Sequence, residues 1–363
     1  MNYTAAEVLL VAKRFNNTRR NYLLVNPLQG KHLPVSPTVA LEMMNSLGQR
    51  VAEKFSSARL VIGFAETATA IGALVAKNLS DGCFYLQTTR ENFPGNFVEF
   101  LEEHSHAPEQ KLFADNLSTL IDTAPAVVFV DDELSTGKTL RNIVLQLKRN
   151  FPALDGKKIC AASIINRLSD ENLAALADEN ISCVSLVTLD ETFDASNFQV
   201  TEAQSVTPVD KKFSSHELKF TVDPRKGVEI GSYFAQCDAA GNFVVDRLKR
   251  ENISGDVLIL GTEEFMLPAI VAGSRLEAEN FRVVTHSSTR SPIGIRDAEN
   301  YPIRAGFKLR SFYDATRTTF VYNLRHYDAA VVMTNAQNFS AGLDDLLGAL
   351  DVHGVDKIFV VRC

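Results

Sequence analysis

Apolar residues recur along the first half of the chain in two patterns, short continuous runs and helical spacing. The short runs predict buried strands at 60–64, 83–86, 127–130, 159–165 and 181–189. The helical spacing predicts helices at 38–55, 66–79, 140–148 and 169–177, so that strands and helices alternate. Such alternation is typical of βαβ units in a parallel sheet. Polar and turn-forming residues predict a loop at 88–110 and a linker or edge excursion at 190–215.

The second half of the chain repeats the order of the first. Gly63 ends a predicted strand and is followed by a helix and by the triplet 88–90, and Gly261 is followed in the same way by a helix and by the triplet 288–290. A strand at 329–333 falls where the strand 127–130 falls in the first half. The pattern predicts a degenerate tandem repeat with domains at 1–205 and 206–363. The alternative is that two α/β units share only their common strand-turn-helix order.

The most informative segment is 127–139, where an apolar strand runs into two acids and a hydroxyl-rich loop that opens a helix. Asp131 and Asp132 would emerge at the carboxyl end of the strand, where open α/β sheets bind ligands, and two acceptor-only side chains suit a ribose diol. The loop that follows can bind a phosphate through N–H groups and hydroxyls at the helix amino end. Its residues are Ser135, Thr136, Gly137, Lys138 and Thr139.

A Walker A loop is the main alternative for this loop, because 137–139 read Gly-Lys-Thr. That pattern needs its first glycine at position 132, where Asp132 would place a negative charge against the phosphates. A βα turn of another doubly wound enzyme is the second alternative. Lys138 could lie over a phosphate or could point to solvent from the first helical turn.

The order of four apolar residues, two acids and a Thr-Gly-x-Thr loop resembles the PRPP-binding signature of type I phosphoribosyltransferases. The resemblance implies a parallel sheet with helices on both faces, PRPP as substrate, and Mg²⁺ held mainly by the substrate rather than by a protein metal site. It also implies that the turn after strand 60–64 is the pyrophosphate loop, where an ordinary helix cap is the alternative. The loop residues are Ala65, Glu66, Thr67, Ala68 and Thr69.

The same resemblance places Arg90 in a mobile loop that closes over pyrophosphate, with a plain surface arginine as the alternative. Purine enzymes of the family carry an acid at the position of Ser135, so this chain departs from them, and its acceptor must be selected elsewhere. In the family the amino-terminal segment, here 1–37, forms a hood over the acceptor. Lys31 and His32 could address an anionic acceptor there, and a solvated loop is the alternative.

A second resemblance covers the other half of the chain. Thr289-Arg290-Ser291-Pro292 matches the motif that names the TRSP domain, which accompanies a phosphoribosyltransferase domain in tellurium-resistance and stress operons. Those operons are thought to assemble a nucleoside-like metabolite. A second anion pocket is expected here, and the alternative is a structural turn pinned by a proline. The expected residues are His286, Ser288, Thr289 and Arg290, with Lys308, Arg310 and Arg317 as helpers.

The second half is not expected to keep a catalytic PRPP site. Thr334-Asn335 stands where the first half has its acid pair, and Ser340-Ala341-Gly342 is a poor phosphate loop. The prediction is therefore of one catalytic domain, followed by a related domain that binds an anionic part of the acceptor or a partner enzyme.

Composition bears on nucleic-acid binding, cellular location and metal binding. A net charge of −7 argues against broad nucleic-acid binding. Five cysteines without a Cys-x-x-Cys pair, no amino-terminal signal and no long apolar run indicate a reduced cytoplasmic protein outside the membrane. His104 and His106 form a lone His-x-His among acids, which is more often a solvated loop than a zinc site. The expected partners are PRPP and a small-molecule acceptor, with a homodimer or a pathway enzyme as protein partner.

The sequence thus predicts a PRPP-dependent phosphoribosyltransferase that releases pyrophosphate, with the acceptor, a nucleobase-like or other nucleophile, unidentified. Two alternatives stay open. One is a regulatory protein that senses PRPP or a nucleotide without turnover, and the other is the reverse, phosphorolytic reaction on a nucleotide at the same site.

Overall fold

The structure is a computed structural model that describes residues 2–15, 20–100 and 110–363. Its strands, in chain order, are β1 Leu10–Lys13, β2 Tyr22–Val25, β3 Ala58–Gly63, β4 Phe84–Gln87, β5 Phe97–Phe100, β6 Gln110–Phe113, β7 Ala126–Leu134, β8 Lys158–Asn166, β9 Ile181–Thr188, β10 Gln204–Ser205, β11 Ser214–Glu217, β12 Val228–Glu229, β13 Asp256–Gly261, β14 Arg282–Ser287, β15 Gly306–Arg310, β16 Thr318–Tyr322, β17 Ala329–Thr334 and β18 Ile358–Arg362. Its α-helices are α1 Ala5–Val8, α2 Pro37–Phe55, α3 Thr69–Leu79, α4 Leu117–Thr123, α5 Lys138–Asn150, α6 Asp170–Ala177, α7 Ile230–Arg250, α8 Leu267–Ala278 and α9 Ser340–Val352.

Two compact units share the chain. Unit 1 comprises Met1–Ala5, Glu42–Glu191 and Thr221–Ala235, and unit 2 comprises Ala6–Leu41, Thr192–Phe220 and Gln236–Cys363. The predicted boundary at 205 therefore differs from the structure in three segments. Residues 6–37 of the predicted hood 1–37 pack with unit 2, and so do residues 38–41. Residues 192–205 also join unit 2, and residues 221–235 join unit 1.

Unit 1 is built on a sheet of order β12-β4-β3-β7-β8-β9, in which all pairs are parallel except the edge pair of β12 with β4. Alternate apolar residues of β3 and β7, such as Leu60 and Phe129, join a buried core with α4, α5 and α6. Helix α3 covers the strands closely, because a Cβ added to Gly72 would lie 3.0 Å from Gly63 Cα. The predicted α/β fold with a parallel sheet is confirmed.

Unit 2 contains a parallel sheet of order β11-β18-β17-β13-β14. Leu258 and Leu260 of β13 face a core shared with α9, while Val257 and Ile259 face a core shared with α7 and α8. This alternation shows that helices cover both faces of the sheet. The central order β14-β13-β17-β18 repeats the order β4-β3-β7-β8 of unit 1, as expected for a related second α/β domain.

Some predicted elements change in extent. The strand predicted at 127–130 runs from Ala126 to Leu134, because the pairing of β7 with β8 continues past the apolar run through Asp131 and Glu133. The helix predicted from residue 66 begins at Thr69. The predicted loop 88–110 contains β5 and the start of β6, which pair antiparallel. The predicted linker 190–215 contains β10 and the start of β11, and β11 is the edge strand beside β18.

Candidate functional site

The candidate site of unit 1 lies at the carboxyl edge of the sheet, where the segments after β3, β4, β7 and β8 meet. Since these strands are parallel, their carboxyl ends share one edge, and this edge is where doubly wound sheets bind ligands. All the residues predicted for PRPP follow these strand ends or complete β7. The geometry below shows which of them are in contact.

The acid pair belongs to the last part of β7. Asp131 lies opposite Ser163 of β8 and is half-buried, and its Oδ1 accepts a hydrogen bond of 2.9 Å from Asp132 N. Removal from bulk water, reinforced by the neighbouring Asp132 carboxylate, raises the pKa of Asp131 well above its usual value. A hydroxyl donor or a cation bound at this carboxyl group would favour its charged form and so lower this pKa.

The predicted pyrophosphate loop contacts the acid pair directly. Thr67 Oγ1 donates a hydrogen bond of 2.9 Å to Asp132 Oδ1, and Glu66 is buried beside it. The peptide bond between Ala65 and Glu66 is cis, and Ala65 N donates to Thr88 Oγ1 over 2.8 Å. These bonds join the segments after β3, β4 and β7 at one place.

Thr69 is the first residue of α3 and carries a buried hydroxyl. Its side chain is 2% exposed, and among the described residues its Oγ1 has no hydrogen-bond partner. A buried hydroxyl without a partner costs free energy, so a ligand oxygen at this place would satisfy it.

The predicted phosphate loop turns at Gly137, which has φ of +67° and caps the amino end of α5. The positive φ favours glycine, and a Cβ at this position would also lie a tight 3.1 Å from side-chain carbons of Leu168 and Leu176. Thr136, Lys138 and Thr139 are exposed at the opening of the helix. The loop thus presents hydroxyls and a helix amino end to solvent, as an anion site requires.

Arg90 follows β4 and is exposed. The residue before it is fixed, because Thr89 and Lys111 exchange backbone hydrogen bonds of 2.9 and 3.0 Å, and Glu91 N donates to Thr89 Oγ1. Arg90 therefore stands at the base of the pair β5–β6. Its closure over pyrophosphate stays a prediction. His104 and His106, also in this region, lie outside the described residues.

Two residues of this edge were missed by sequence analysis. Glu133 and Arg167 form an ion pair of 3.1 Å, and each side chain is 11% exposed. Arg167 N also donates to Leu134 O, which holds the residue after β8 against the end of β7. Glu133 was not expected because the strand was predicted to end at Val130. Only its position after the apolar run of β8 could have singled out Arg167.

Lys31 and His32 lie in unit 2, where both side chains are buried. Lys31 Nζ donates to Glu263 O over 2.7 Å and to Ser288 O over 3.0 Å, and it lies 3.5 Å from Ser287 Oγ. A fully buried ammonium with these oxygen partners has a structural role in unit 2. The contact between Lys31 and an acceptor stays a prediction.

The predicted second anion pocket is also formed within unit 2, but its groups are engaged internally. Burial lowers the pKa of His286 to about 4, so the ring is neutral at pH 7, and its Nε2 donates to Tyr322 O over 2.7 Å. Arg290 Nε donates to the buried Glu263 carboxylate over 3.0 Å. The helper cations are likewise paired with carboxylates, Lys308 with Glu202, Arg310 with Asp345 and Arg317 with Asp314.

Across the described ranges, no group of three or more His, Cys, Asp or Glu side chains is arranged to hold a metal ion. In the same residues, no helix has the length and apolar character needed to cross a membrane.

Comparisons with solved structures show low similarity to phosphoribosyltransferases. Orotate phosphoribosyltransferase from Aeropyrum pernix is 19% identical, covering 50% of this chain and 88% of that chain, with a TM-score of 0.33. The Giardia lamblia APRTase complexed with 9-deazaadenine is 14% identical, covering 52% and 97%, with a TM-score of 0.36. Adenine phosphoribosyl transferase from Trypanosoma brucei is 13% identical, covering 53% and 85%, also with a TM-score of 0.36.

No curated protein matches the chain. Protein families do match it, and they cover both halves. A family described as phosphoribosyl transferase matches residues 8–191, and a second, described as TRSP domain C terminus to PRTase_2, matches residues 225–350. The chain therefore belongs to the phosphoribosyl transferase family, and a TRSP domain follows its transferase domain.

Proposed function

We propose that unit 1 catalyses a magnesium-dependent transfer of the 5-phosphoribosyl group from PRPP to an acceptor, with release of pyrophosphate. Family membership supports phosphoribosyl transfer in general. The observation that carries the specific proposal is the hydrogen bond of 2.9 Å from Thr67 to Asp132. This bond joins the predicted pyrophosphate loop to the acids predicted to bind ribose. One PRPP molecule can contact both groups only if they are adjacent.

Each part of PRPP has a matching group at this edge. Asp131 and Asp132 accept hydrogen bonds from the ribose diol, and the loop 135–139 binds the 5-phosphate through N–H groups and hydroxyls. The turn 65–69 takes the pyrophosphate, with the buried Thr69 hydroxyl available to it. Arg90, exposed beside this turn, closes over the leaving group.

The acids have a second role in the transfer itself. When the bond from C1 to pyrophosphate breaks, positive charge develops on the ribose, and the nearby carboxylates stabilise that charge more than the ground state. Pyrophosphate held by the turn 65–69 leaves from one face, and the acceptor attacks from the other. The arrangement needs no covalent intermediate with the protein.

The donor set fits Mg²⁺, because Asp131 and Asp132 supply hard carboxylate oxygens at the edge where the substrate oxygens would lie. The ion would be held mainly by PRPP, with these carboxylates next to it, and would neutralise charge on the leaving pyrophosphate. The protein groups position the sugar and the phosphates around it.

The acceptor is a nucleobase-like or other nucleophile that lacks the purine contact, since Ser135 stands where purine enzymes carry an acid. We place the reaction in the biosynthesis of a nucleoside-like metabolite, as the resemblance of the second half to the TRSP domain of stress operons implies.

The test is to incubate the full-length protein with PRPP, Mg²⁺ and a metabolite extract, and to measure pyrophosphate together with new masses that carry phosphoribose. Pyrophosphate release that depends on an extract component, with a matching new mass, supports the transferase. PRPP binding without turnover on any fraction would favour a PRPP-sensing protein. Absence of PRPP binding would contradict both.

A further inference from the structure

The loops at the carboxyl edge of unit 2 keep the backbone frame of unit 1. In unit 1, Thr88 N donates to Gly63 O over 3.0 Å, and in unit 2, Ser288 N donates to Gly261 O over 3.1 Å. The registers agree as well, since Gly63 pairs with β4 and β7 as Gly261 pairs with β14 and β17. Positions at these strand ends of the two units can therefore be matched.

The match places Glu263 at the position of Ala65. Ala65 N donates to Thr88 Oγ1 over 2.8 Å, and Glu263 N donates to Ser288 Oγ over 3.1 Å. Both positions come two residues after the strand-ending glycine. The two positions share this hydrogen bond, although their backbones differ, since the Ala65–Glu66 peptide bond is cis and Glu263 has φ of +49°. Of the two positions, only that of unit 2 carries a carboxylate.

The match also places Arg290 at the position of Arg90. Thr89 exchanges backbone hydrogen bonds with Lys111, and Thr289 does so with Phe320. The two arginines then differ in exposure, because Arg90 is exposed and the Arg290 side chain is 9% exposed.

The difference between the arginines is explained by Glu263. Its carboxylate is completely buried and accepts hydrogen bonds from Ser311 Oγ at 2.6 Å, Phe312 N at 3.1 Å and Arg290 Nε at 3.0 Å. Arg317 lies 3.7 Å from the same carboxylate. Arg290 also lies 3.7 Å from Glu264, and Arg317 lies 3.6 Å from Asp314. Two guanidinium groups, a hydroxyl and a backbone N–H are donors of the kind that bind a phosphate group.

The neighbouring phosphate-loop position of unit 2 is closed too. A Cβ added to Gly342, in the first turn of α9, would lie 2.7 Å from the Phe312 ring and 2.9 Å from Arg310 O. The amino end of α9 is therefore packed against the segment that also binds Glu263. The matching end of α5 in unit 1 is exposed.

We propose that the donors around Glu263 form the counterpart of the pyrophosphate site, and that the chain's own Glu263 carboxylate occupies it as a built-in ligand. Unit 2 is thereby closed to phosphate ligands, and it opens to inorganic pyrophosphate when this carboxylate is removed. The comparison with pyrophosphate rests on the function proposed for unit 1. The internal carboxylate, in contrast, is a property of unit 2 alone.

A reporter confined to unit 2 can test this, because the chain contains no tryptophan. Tyr313 lies beside the donor set, since its N–H donates to Ser311 Oγ over 3.1 Å. In a Tyr313→Trp protein, tryptophan fluorescence would be titrated with inorganic pyrophosphate. Adding Glu263→Ala should tighten binding by at least about tenfold, as expected when a charged competitor leaves a set of charge-assisted donors.

The control is a further Arg290→Ala substitution, which should remove the gained binding. Equal affinity with and without Glu263, or a gain that survives the loss of Arg290, would overturn the proposal. If Glu263→Ala does not fold, Glu263→Gln keeps the side-chain size and an acceptor oxygen while removing the charge. It should also bind pyrophosphate more tightly than the reporter protein, and equal affinity would again count against the proposal.

The reciprocal experiment uses unit 1. Ala65→Glu should bring a carboxylate to Arg90 and weaken PRPP binding, whereas Ala65→Gln, of the same size, should weaken it less. Equal losses would show that bulk rather than charge closes the site. If the unchanged protein does not bind PRPP at all, the function proposed for unit 1 fails, while the tryptophan titration still reports on unit 2.

Discussion

Replacing the ribose acids by asparagine tests the proposed site most directly. Asp131 Oδ1 accepts from Asp132 N, Asp132 Oδ1 accepts from Thr67, and the two acid side chains also share a hydrogen bond that the ribose diol would replace in the proposed complex. Asparagine keeps one acceptor oxygen and replaces the other by an NH₂ donor, which cannot accept from a hydroxyl. Each single change should therefore remove one charge-assisted hydrogen bond and preserve the internal ones.

The loss of one such bond is worth roughly 1.5 to 3 kcal/mol, or about 10- to 150-fold in PRPP affinity. The two positions are adjacent, so the double variant need not show the product of the two effects. Turnover should fall further than affinity, because the carboxylates also stabilise the charge that develops on the ribose.

The assay combines calorimetric PRPP affinity with pyrophosphate release in the presence of the acceptor. Circular dichroism would confirm that the double variant Asp131→Asn, Asp132→Asn is folded. Asp155→Asn is the matched control, since Asp155 is an exposed acid that precedes β8 at the opposite edge of the sheet. Unchanged turnover in the folded double variant would refute the assignment of the ribose site.

Three further predictions address pH, catalysis and unit 2. The pKa of Asp131 is raised in the folded state, so ionisation of this group lowers stability as pH rises above the usual aspartate pKa. Asp131→Asn should therefore raise the melting temperature at pH 7 and make the melting temperature fall less steeply with pH. A lower melting temperature for the variant would contradict this. Arg90→Ala should reduce kcat more than PRPP affinity, since the contact forms as pyrophosphate leaves, and equal losses in steady-state kinetics and calorimetry would indicate ordinary substrate binding. Arg290→Ala should leave PRPP affinity unchanged but lower stability in urea unfolding by roughly 3 kcal/mol, because it removes one partner of the buried Glu263; PRPP bound at Thr334 and Asn335 would refute the separation of the two sites.

The sequence predicted the part of the site that local patterns encode. Val127 to Val130 form a continuous apolar run, so the strand, the acids at its end and the loop around Gly137 could be placed without a structure. The end of β7 could not be placed from the sequence, because its pairing with β8 extends beyond the apolar run, through polar residues, to Leu134. The Glu133–Arg167 ion pair was missed for the same reason.

Long-range contacts account for the other differences. The segment around Lys31 is rich in glycine and proline and looks like an exposed loop, yet Lys31 is buried by oxygens from residues 263 and 288. No local pattern indicates such partners. The same holds for Glu263, whose buried partners lie at residues 290, 311 and 312.

The division of the chain has a consequence for how this protein can be made and dissected. Each unit is interlaced with the other along the sequence, since 6–41 belong with 236–363 while 42–191 belong with 221–235. A fragment cut near residue 205 would remove β12 and its flanking residues from unit 1 and would separate 6–41 from the rest of unit 2. Lys31, in the early segment, has its hydrogen-bond partners at residues 263 and 288. Completion of unit 2 therefore depends on contacts between residues far apart in the sequence, and we expect it to be a slow step in folding. To produce unit 2 by itself, a gene would have to join residues 6–41 directly to residues 192–220 and 236–363, because simple truncation cannot separate the units.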